Sequence, residues 1–431
     1  MKFKQSSVLI ILLLILPLFL NCGLTAKAVT TQTSPSLYFG VDVAFGSIAA
    51  TEQLIDNVSS YTNFFVIGCT GNYNDTRLTI ISQYVYNKSL SFIVYTDNPI
   101  YPSKQWLENA KSNWGNSFLG IYYYDEPGGK QLDMSAPFVR TATNYSNAAS
   151  IYVNAVNRYL LGPYSITKSF AYSTEYPLFT SDYSLYWYDY EAGYNTVFAE
   201  FTMNYSQQFN VALCRGAATV QDKDWGVMIT WKYTKPPYME NGTELYNDMT
   251  LAYENGAKYI IVFDSNANYT QNVLTQNVSQ QGQGGQLDAM KQFWQYVQSN
   301  PRTITPVIDR TAYVLPAAYG YGFRGPKDKI WGLWTNDSLT LDIGMSVATL
   351  LEMDGSNLDV VYPSETLESA GYHNIIYWNN TKLIPTPSPQ SQQDTSLPFY
   401  ATTVYLYAIA ASILVAVAVA FTVLKFRKRY R

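Results

Sequence analysis

The chain has 431 residues and a formal net charge of −4, with charged residues at 14% and aromatic ones at 16%. That balance argues against a nucleic-acid partner, which calls for a basic surface. A single histidine, His373, excludes a multi-histidine zinc site and makes any Ser-His-Asp or Cys-His chemistry depend on that one residue.

The chain opens with Lys2 and Lys4, followed by an apolar run over residues 8–20. A short basic start and a short apolar stretch form the pattern of a secretory signal, too short to span a bilayer. Ala26-Lys27-Ala28 supplies a small-x-small cleavage site, which sets a signal peptide at residues 1–28; lipidation at Cys22 is the competing reading. Once the signal is removed, Cys69 and Cys214 remain, which is no disulfide framework.

Strand-like and helix-like runs then alternate. The expected strands are 37–42, 63–69, 90–96, 118–126, 183–189, 196–201, 224–231 and 259–264, each followed by a helical stretch. Eight such units point to a (β/α)8 TIM barrel over residues 37–302, with a doubly wound open sheet as the alternative. The open sheet would bring a Gly-rich phosphate loop after the first strand, and none is present. Residues 303–382 read as a small α/β appendage with strands at 311–315, 358–362 and 374–378. Residues 383–399 are a Pro-, Ser- and Gln-rich stalk. Residues 400–424 have the length and hydropathy of one transmembrane helix, with Tyr400, Tyr405 and Tyr407 at one interface. The basic tail 425–431 belongs on the cytoplasmic side, which puts the folded part at the cell surface. Ten N-x-S/T triplets, at Asn57, Asn74, Asn87, Asn144, Asn204, Asn241, Asn268, Asn277, Asn336 and Asn379, agree with an exported chain.

Chemistry in such barrels sits at the C-terminal strand ends. Here those ends carry acids: Asp42, Asp125 and Glu126, Asp189, Glu200 and Asp264. Side-chain alternation places Tyr38, Gly40 and Asp42 inside the barrel on the first strand. On the fourth it places Gly120, Tyr122, Tyr124 and Glu126 inside, and on the sixth Thr196, Phe198 and Glu200. Leu119 and Ile121 then face the helices, and Asp189 and Asp264 are left without a parity assignment. Two inward carboxylates on nearby strands suit glycoside cleavage, one protonating the leaving oxygen and the other attacking the sugar or activating water. Tyr122, Tyr124, Trp187, Tyr188, Trp231 and Tyr233 offer flat faces for sugar rings and an apolar setting that raises a carboxyl pKa. Lys232 and Arg215 are candidates to pair with a carboxylate or a substrate acid, with a surface place expected for Arg215. Arg324 suggests that the appendage packs on the barrel or shapes its rim. No phosphate loop, calcium loop or zinc ligand set is present, so neither metal nor cofactor is expected.

Tyr124-Asp125-Glu126-Pro127 resembles the Asn-Glu-Pro motif that ends the fourth strand in many barrel-fold glycoside hydrolases. The resemblance implies that Glu126 is the general acid/base. Asp125 stands where those enzymes have an asparagine that contacts the sugar. They keep a glutamate nucleophile on the seventh strand, whereas this one ends Thr230-Trp231-Lys232, so Glu200 would take that role. The expectation is a membrane-anchored glycosidase acting on carbohydrate through Glu126 and Glu200. Asp42, Tyr124, Asp125, Tyr188, Asp189, Trp231, Lys232 and Asp264 are its expected substrate contacts. The alternative is a non-catalytic surface glycan-binding protein.

Overall fold

A computed structural model describes residues 35–44, 46–68, 74–96, 102–161, 176–265, 273–274, 285–325 and 327–380. The expected signal segment, stalk, transmembrane helix and tail lie outside these residues, as do Cys69, Asn268 and Asn277. Among the described residues no helix is long and apolar enough to cross a membrane.

Eight strands close into a parallel barrel in sequence order. They are β1 (Tyr38–Val43), β2 (Phe64–Ile67), β3 (Ser91–Thr96), β4 (Phe118–Tyr123), β5 (Leu178–Asp182), β6 (Thr196–Phe201), β7 (Asp224–Ile229) and β8 (Tyr259–Phe263), and β8 pairs back onto β1. The intervening helices are α1 (Ile48–Val58), α2 (Asp75–Asn87), α3 (Lys104–Trp114), the short α4 (Pro127–Asp133), α5 (Tyr145–Leu161), α6 (Tyr186–Ala192), α7 (Gln207–Val220) and α8 (Gly242–Glu254). The last, α9 (Gln286–Ser299), follows β8. Side chains of Ser47, Asn74, Ser103, Ser206 and Asn241 cap α1, α2, α3, α7 and α8 by accepting otherwise unpaired first-turn N–H groups.

Alternation along the strands builds two apolar layers. Phe39, Val41, Ile121, Val197, Ala199 and Val262 face the helices. Tyr38, Phe64, Tyr122, Phe179, Phe198 and Tyr259 fill the interior, where Tyr38 stacks on Tyr259 with ring centroids 4.9 Å apart. Two expectations are corrected. Leu119 packs against the interior layer, because the β3–β4 register slips after Phe92 and breaks the alternation at that point. The fifth strand is Leu178–Asp182, and the aromatic run that read as a strand, with Tyr188 and Asp189, forms helix α6. Aromatic side chains favour strands in general, but here Tyr186, Trp187, Tyr188 and Tyr190 are all buried on a helix.

The appendage holds a parallel sheet of β9 (Thr311–Val314), β10 (Leu358–Val361) and β11 (Asn374–Tyr377), in the order β10-β9-β11, with helix α10 (Ser338–Asp354) between β9 and β10. His373 is exposed just before β11, away from the barrel strands. Arg215 on α7 is buried and ties the two parts together, which corrects the expected surface place. It donates to Asp359 Oδ1 at 2.7 Å, to Asn255 at 2.9 Å and to the Leu358 carbonyl at 2.9 Å. Asp359 Oδ2 receives Arg310 at 2.8 Å and Tyr372 Oη at 2.9 Å. Removing one partner of a buried charge network costs about 3–5 kcal/mol. Asp359→Ala should therefore lower stability by about that amount in denaturant unfolding, whereas replacing exposed Asp342 by Ala should change it little.

Candidate active site

The passage from β4 into α4 is held in an uncommon backbone. Tyr124 (φ +60°) and Glu126 (φ +50°) are both left-handed, a conformation that persists in ordinary residues only where the surroundings enforce it. Glu126 N–H donates to the Ser181 carbonyl at 3.1 Å. Tyr194 Oη donates to the carbonyls of Tyr123 and Tyr124 at 3.0 and 2.9 Å, and Thr180 Oγ1 donates to the Tyr124 carbonyl at 3.1 Å. Lys130 Nζ donates to the Asp125 carbonyl. Asp182, at the end of β5, completes the clamp by accepting N–H groups of Gly128 at 2.5 Å, Gly129 at 2.9 Å, Tyr183 at 2.8 Å and Ser184 at 3.1 Å. Gly128 is required by this packing, and Gly129 lies close under the Tyr183 ring. A Cβ at Gly128 would lie 2.6 Å from the Ser184 carbonyl oxygen, and one at Gly129 would lie 2.3 Å from the Tyr183 ring.

The clamp delivers Glu126 against Glu200 of β6, and the two carboxyls hydrogen-bond directly. Glu200 also receives Ser181 Oγ. Ser181 Oγ lies 3.0 Å from Asp125 Oδ1 and 2.6 Å from Tyr122 Oη, and Tyr122 Oη bonds Asp125 as well. A chain of Tyr122, Asp125, Ser181, Glu200 and Glu126 therefore crosses from β4 to β6. Burial, then Asp125 and Asp182, push the Glu126 carboxyl up to about 8, with Lys130 and the Glu200 hydrogen bond opposing. Glu200 is raised by burial, Glu126 and Asp125, while the Ser181 hydrogen bond favours its ionised form.

The other expected site residues divide. Asp42 is buried at the end of β1 with Oδ1 unpartnered, and burial, Asp125 and Asp264 raise its pKa. Asp264 accepts the N–H groups of Val273 and Leu274 at 2.6 and 2.7 Å, and burial raises it to about 6. Four expected substrate contacts are placed elsewhere. The left-handed turn carries the Tyr124 ring away from the interior, onto Tyr159 of α5 at 4.6 Å. Tyr188 is buried against Trp331 and Tyr362 of the appendage. Asp189 is buried on α6, bonded to Tyr152 Oη at 2.7 Å and against Asp182. Lys232 is paired with Glu244 at 3.0 Å. Trp231 is half-buried two residues past the end of β7, and its carbonyl accepts Thr202 Oγ1 at 3.2 Å.

Sequence reasoning missed Ser181, Asp182, Tyr183 and Tyr205. The Tyr183 and Tyr205 rings lie 6.2 Å apart, and their hydroxyls feel Glu126 and Glu200 respectively. The run Leu178-Phe-Thr-Ser-Asp182, apolar and then acidic, is the signal that marks this strand end. Arg324 reaches the same rim. It bonds Asp133 at 2.6 Å and Asp328 at 2.7 Å, and lies 5.4 Å from the Tyr183 ring centroid. Among the described residues no cluster of His, Cys, Asp and Glu suits a metal ion.

No protein-family model matches the chain, and no curated protein matches it in sequence. Solved structures with a similar fold include a β-1,4-D-mannanase from Cryptopygus antarcticus, at 11% identity and TM-score 0.37, covering 59% of this chain and 89% of that one. They also include the catalytic module of a family 98 glycoside hydrolase from Streptococcus pneumoniae, at 11% and 0.42, covering 81% and 69%. A D-psicose 3-epimerase from Clostridium cellulolyticum aligns at 10% and 0.33, covering 62% and 100%. The likeness is one of barrel architecture and does not distinguish among these chemistries.

Buried carboxyls whose pKa values are raised hold protons that the unfolded chain, with carboxyl values of about 4, releases. The folded state therefore binds more protons between about pH 4 and about pH 8, the latter being the value for Glu126, with Asp182 at about 7 in the same direction. Stability should be greatest near the bottom of that window and fall as pH rises through it. Melting temperature followed from pH 4 to pH 8 should decline by several degrees, and Glu126→Gln, which needs no proton, should flatten the slope.

Proposed function

We propose that the barrel is a glycoside hydrolase in which Glu126 is the general acid/base and Glu200 its carboxylate partner. The observation that carries this reading is the direct contact of the two carboxyls at the ends of β4 and β6. With a sugar between them, a separation of ~5–5.5 Å would suit direct attack on the sugar carbon and one of ~6.5–9.5 Å activation of an intervening water. Burial keeps Glu126 protonated at neutral pH, as a proton donor to a leaving oxygen must be. Ser181 donates to Glu200 and so opposes the rise that burial, Glu126 and Asp125 impose on it. Asp42, with an unpartnered buried oxygen, is the best placed acceptor for a sugar hydroxyl.

Glu126→Gln and Glu200→Gln should each reduce glycan cleavage by the purified folded domain by roughly 10²–10⁴-fold without loss of fold. Unchanged cleavage in both variants would reject the assignment. Proton NMR of the first product, by showing retention or inversion at the anomeric carbon, assigns Glu200 to direct attack or to activation of water. Ser181→Ala should move the acidic limb of kcat/KM to higher pH, because Glu200 loses a hydrogen bond to its charged form, while Ser181→Thr should keep the limb in place.

The reading includes location: a chain exported by its basic and apolar start, held by residues 400–424, with the barrel outside the cell. The sequence pattern at both ends supports this. So does the exposure of all eight sequon asparagines among the described residues, Asn57, Asn74, Asn87, Asn144, Asn204, Asn241, Asn336 and Asn379. Protease added to intact cells should cut the barrel and spare the basic tail; full protection of the barrel would overturn the placement.

A further inference from the structure

We propose that Asp42 and Thr230 form a two-point subsite for the hydroxyls of one sugar unit, beside Glu200 in the barrel mouth, and that it selects hydroxylated sugars over their deoxy counterparts. This rests on the carbohydrate reading above and names what the same site recognises.

Strand register brings the two residues to one level. Asp42 on β1 is paired with Phe263 on β8, and Ile229 on β7 is paired with Val262, so Thr230, the next residue, stands beside Phe263. The ladder holds through both positions. Thr230 N–H donates to the Phe201 carbonyl at 3.0 Å, and Asp264 N–H donates to the Asp42 carbonyl at 2.8 Å. All three residues share the inward parity. Tyr38, Met228 and Ile261 line the interior on the same strands, and Phe263 packs on that layer. Thr230, Phe263 and Asp42 therefore form a row across three neighbouring strands. Glu200 is paired with Met228, one strand over and one inward level below Thr230. The row thus lies next to the carboxyl pair, a level closer to the mouth.

This row has polar ends and an apolar centre. Asp42 and Thr230 are 3% and 7% exposed, and neither Asp42 Oδ1 nor Thr230 Oγ1 has a hydrogen-bond partner among the described residues. Thr180 and Thr202, at comparable places on β5 and β6, both bond nearby carbonyls, at 3.1 and 3.2 Å. A buried polar atom left unpaired destabilises a fold, and it is what a site built around a ligand's hydroxyl leaves behind when the ligand is away. Strands lie ~4.8 Å apart, so Asp42 and Thr230 start ~10 Å apart and converge as they point inward. A hexopyranose carries hydroxyls on opposite edges and can reach both, with the Phe263 ring against its C–H surface. Burial, with Asp125 and Asp264 near, holds the Asp42 carboxyl toward its neutral form. A neutral carboxyl and a threonine hydroxyl can each give as well as accept a hydrogen bond, as sugar hydroxyls do. Such a site discriminates strongly against an analogue that lacks the hydroxyl, because its own buried groups then stay unpaired.

The probes are cello-, manno-, laminari- and galactotetraose, with binding measured by calorimetry on the purified full-length protein carrying Glu126→Gln so that the probes stay intact. At least one should bind. Thr230→Val should weaken it roughly tenfold or more, and Thr230→Ser should restore it. Asp42→Leu should weaken it at least as much, and Asp42→Asn, which keeps an acceptor, less. One monodeoxy derivative of the bound probe should bind the parent protein about as weakly as Thr230→Val binds the full probe, and should lose nothing further in that variant. Without ligand, the melting temperature of Thr230→Val should hold or rise, because a methyl of the same shape replaces an unpaired hydroxyl. Unchanged binding in Thr230→Val and Asp42→Leu would overturn the proposal and leave the carbohydrate reading in place. So would a fall of several degrees in the melting temperature of Thr230→Val, the mark of a hydroxyl that serves the fold. No binding of any of the four probes, nor of any glycan on a wider array, would overturn both.

Discussion

The carboxylate of Asp182 is the constraint on which the site depends. It gathers four backbone N–H groups from two segments, the start of α4 and the turn after β5, and holds the β4 exit in a shape that it would not otherwise keep. An N–H donor at the head of a short helix and a carboxylate are natural partners. Here the pairing also fixes the φ of +50° at Glu126 that turns its side chain toward Glu200. The cost of a buried carboxyl is offset by these hydrogen bonds. Gly128 follows from the same arrangement, since a side chain there would collide with the Ser184 carbonyl and the Asp182 carboxyl. The geometry of the glutamate pair is thus set one strand away from the residues that form it.

The barrel was legible because eight repeats of a period-two run followed by an amphipathic one leave few alternatives, and because Asp42, Glu126 and Glu200 stand at strand ends. Alternation predicted the inward course of β1 and β6 correctly, and Tyr38, Phe198 and Glu200 lie where it placed them. It failed where the backbone departs from a regular strand. A register slip turned Leu119 inward, and the left-handed backbone at Tyr124 and Glu126 ended the alternation there. The fifth strand was missed because its successor, Tyr186–Ala192, is more aromatic than the strand itself. With that strand went Ser181 and Asp182, whose importance lies in contacts 50 or more residues away in sequence. Long-range hydrogen bonds of this kind leave no local pattern.

The appendage has a larger share in the molecule than its size suggests. It supplies Arg324 to the rim and packs Trp331 onto Tyr152 and Tyr188, while the Trp331 carbonyl accepts Gln131 of α4 at 2.6 Å. The aromatic residues read as sugar platforms in the sequence are in part the mortar between barrel and appendage. A Tyr- and Trp-rich composition therefore reports internal joints as well as binding surfaces.

Arg215 gives that joint a further meaning. A guanidinium sealed inside the barrel's outer layer, answered by Asp359 from the appendage, makes the barrel chemically incomplete when taken alone. Cutting the chain after α9 would strand a positive charge in an apolar seam with nothing to neutralise it. The sequence offers an obvious place to divide the protein near residue 302; the electrostatics withdraw it. Barrel and appendage are one heritable unit, and recombination or trimming that separates them has to rewrite Arg215 first.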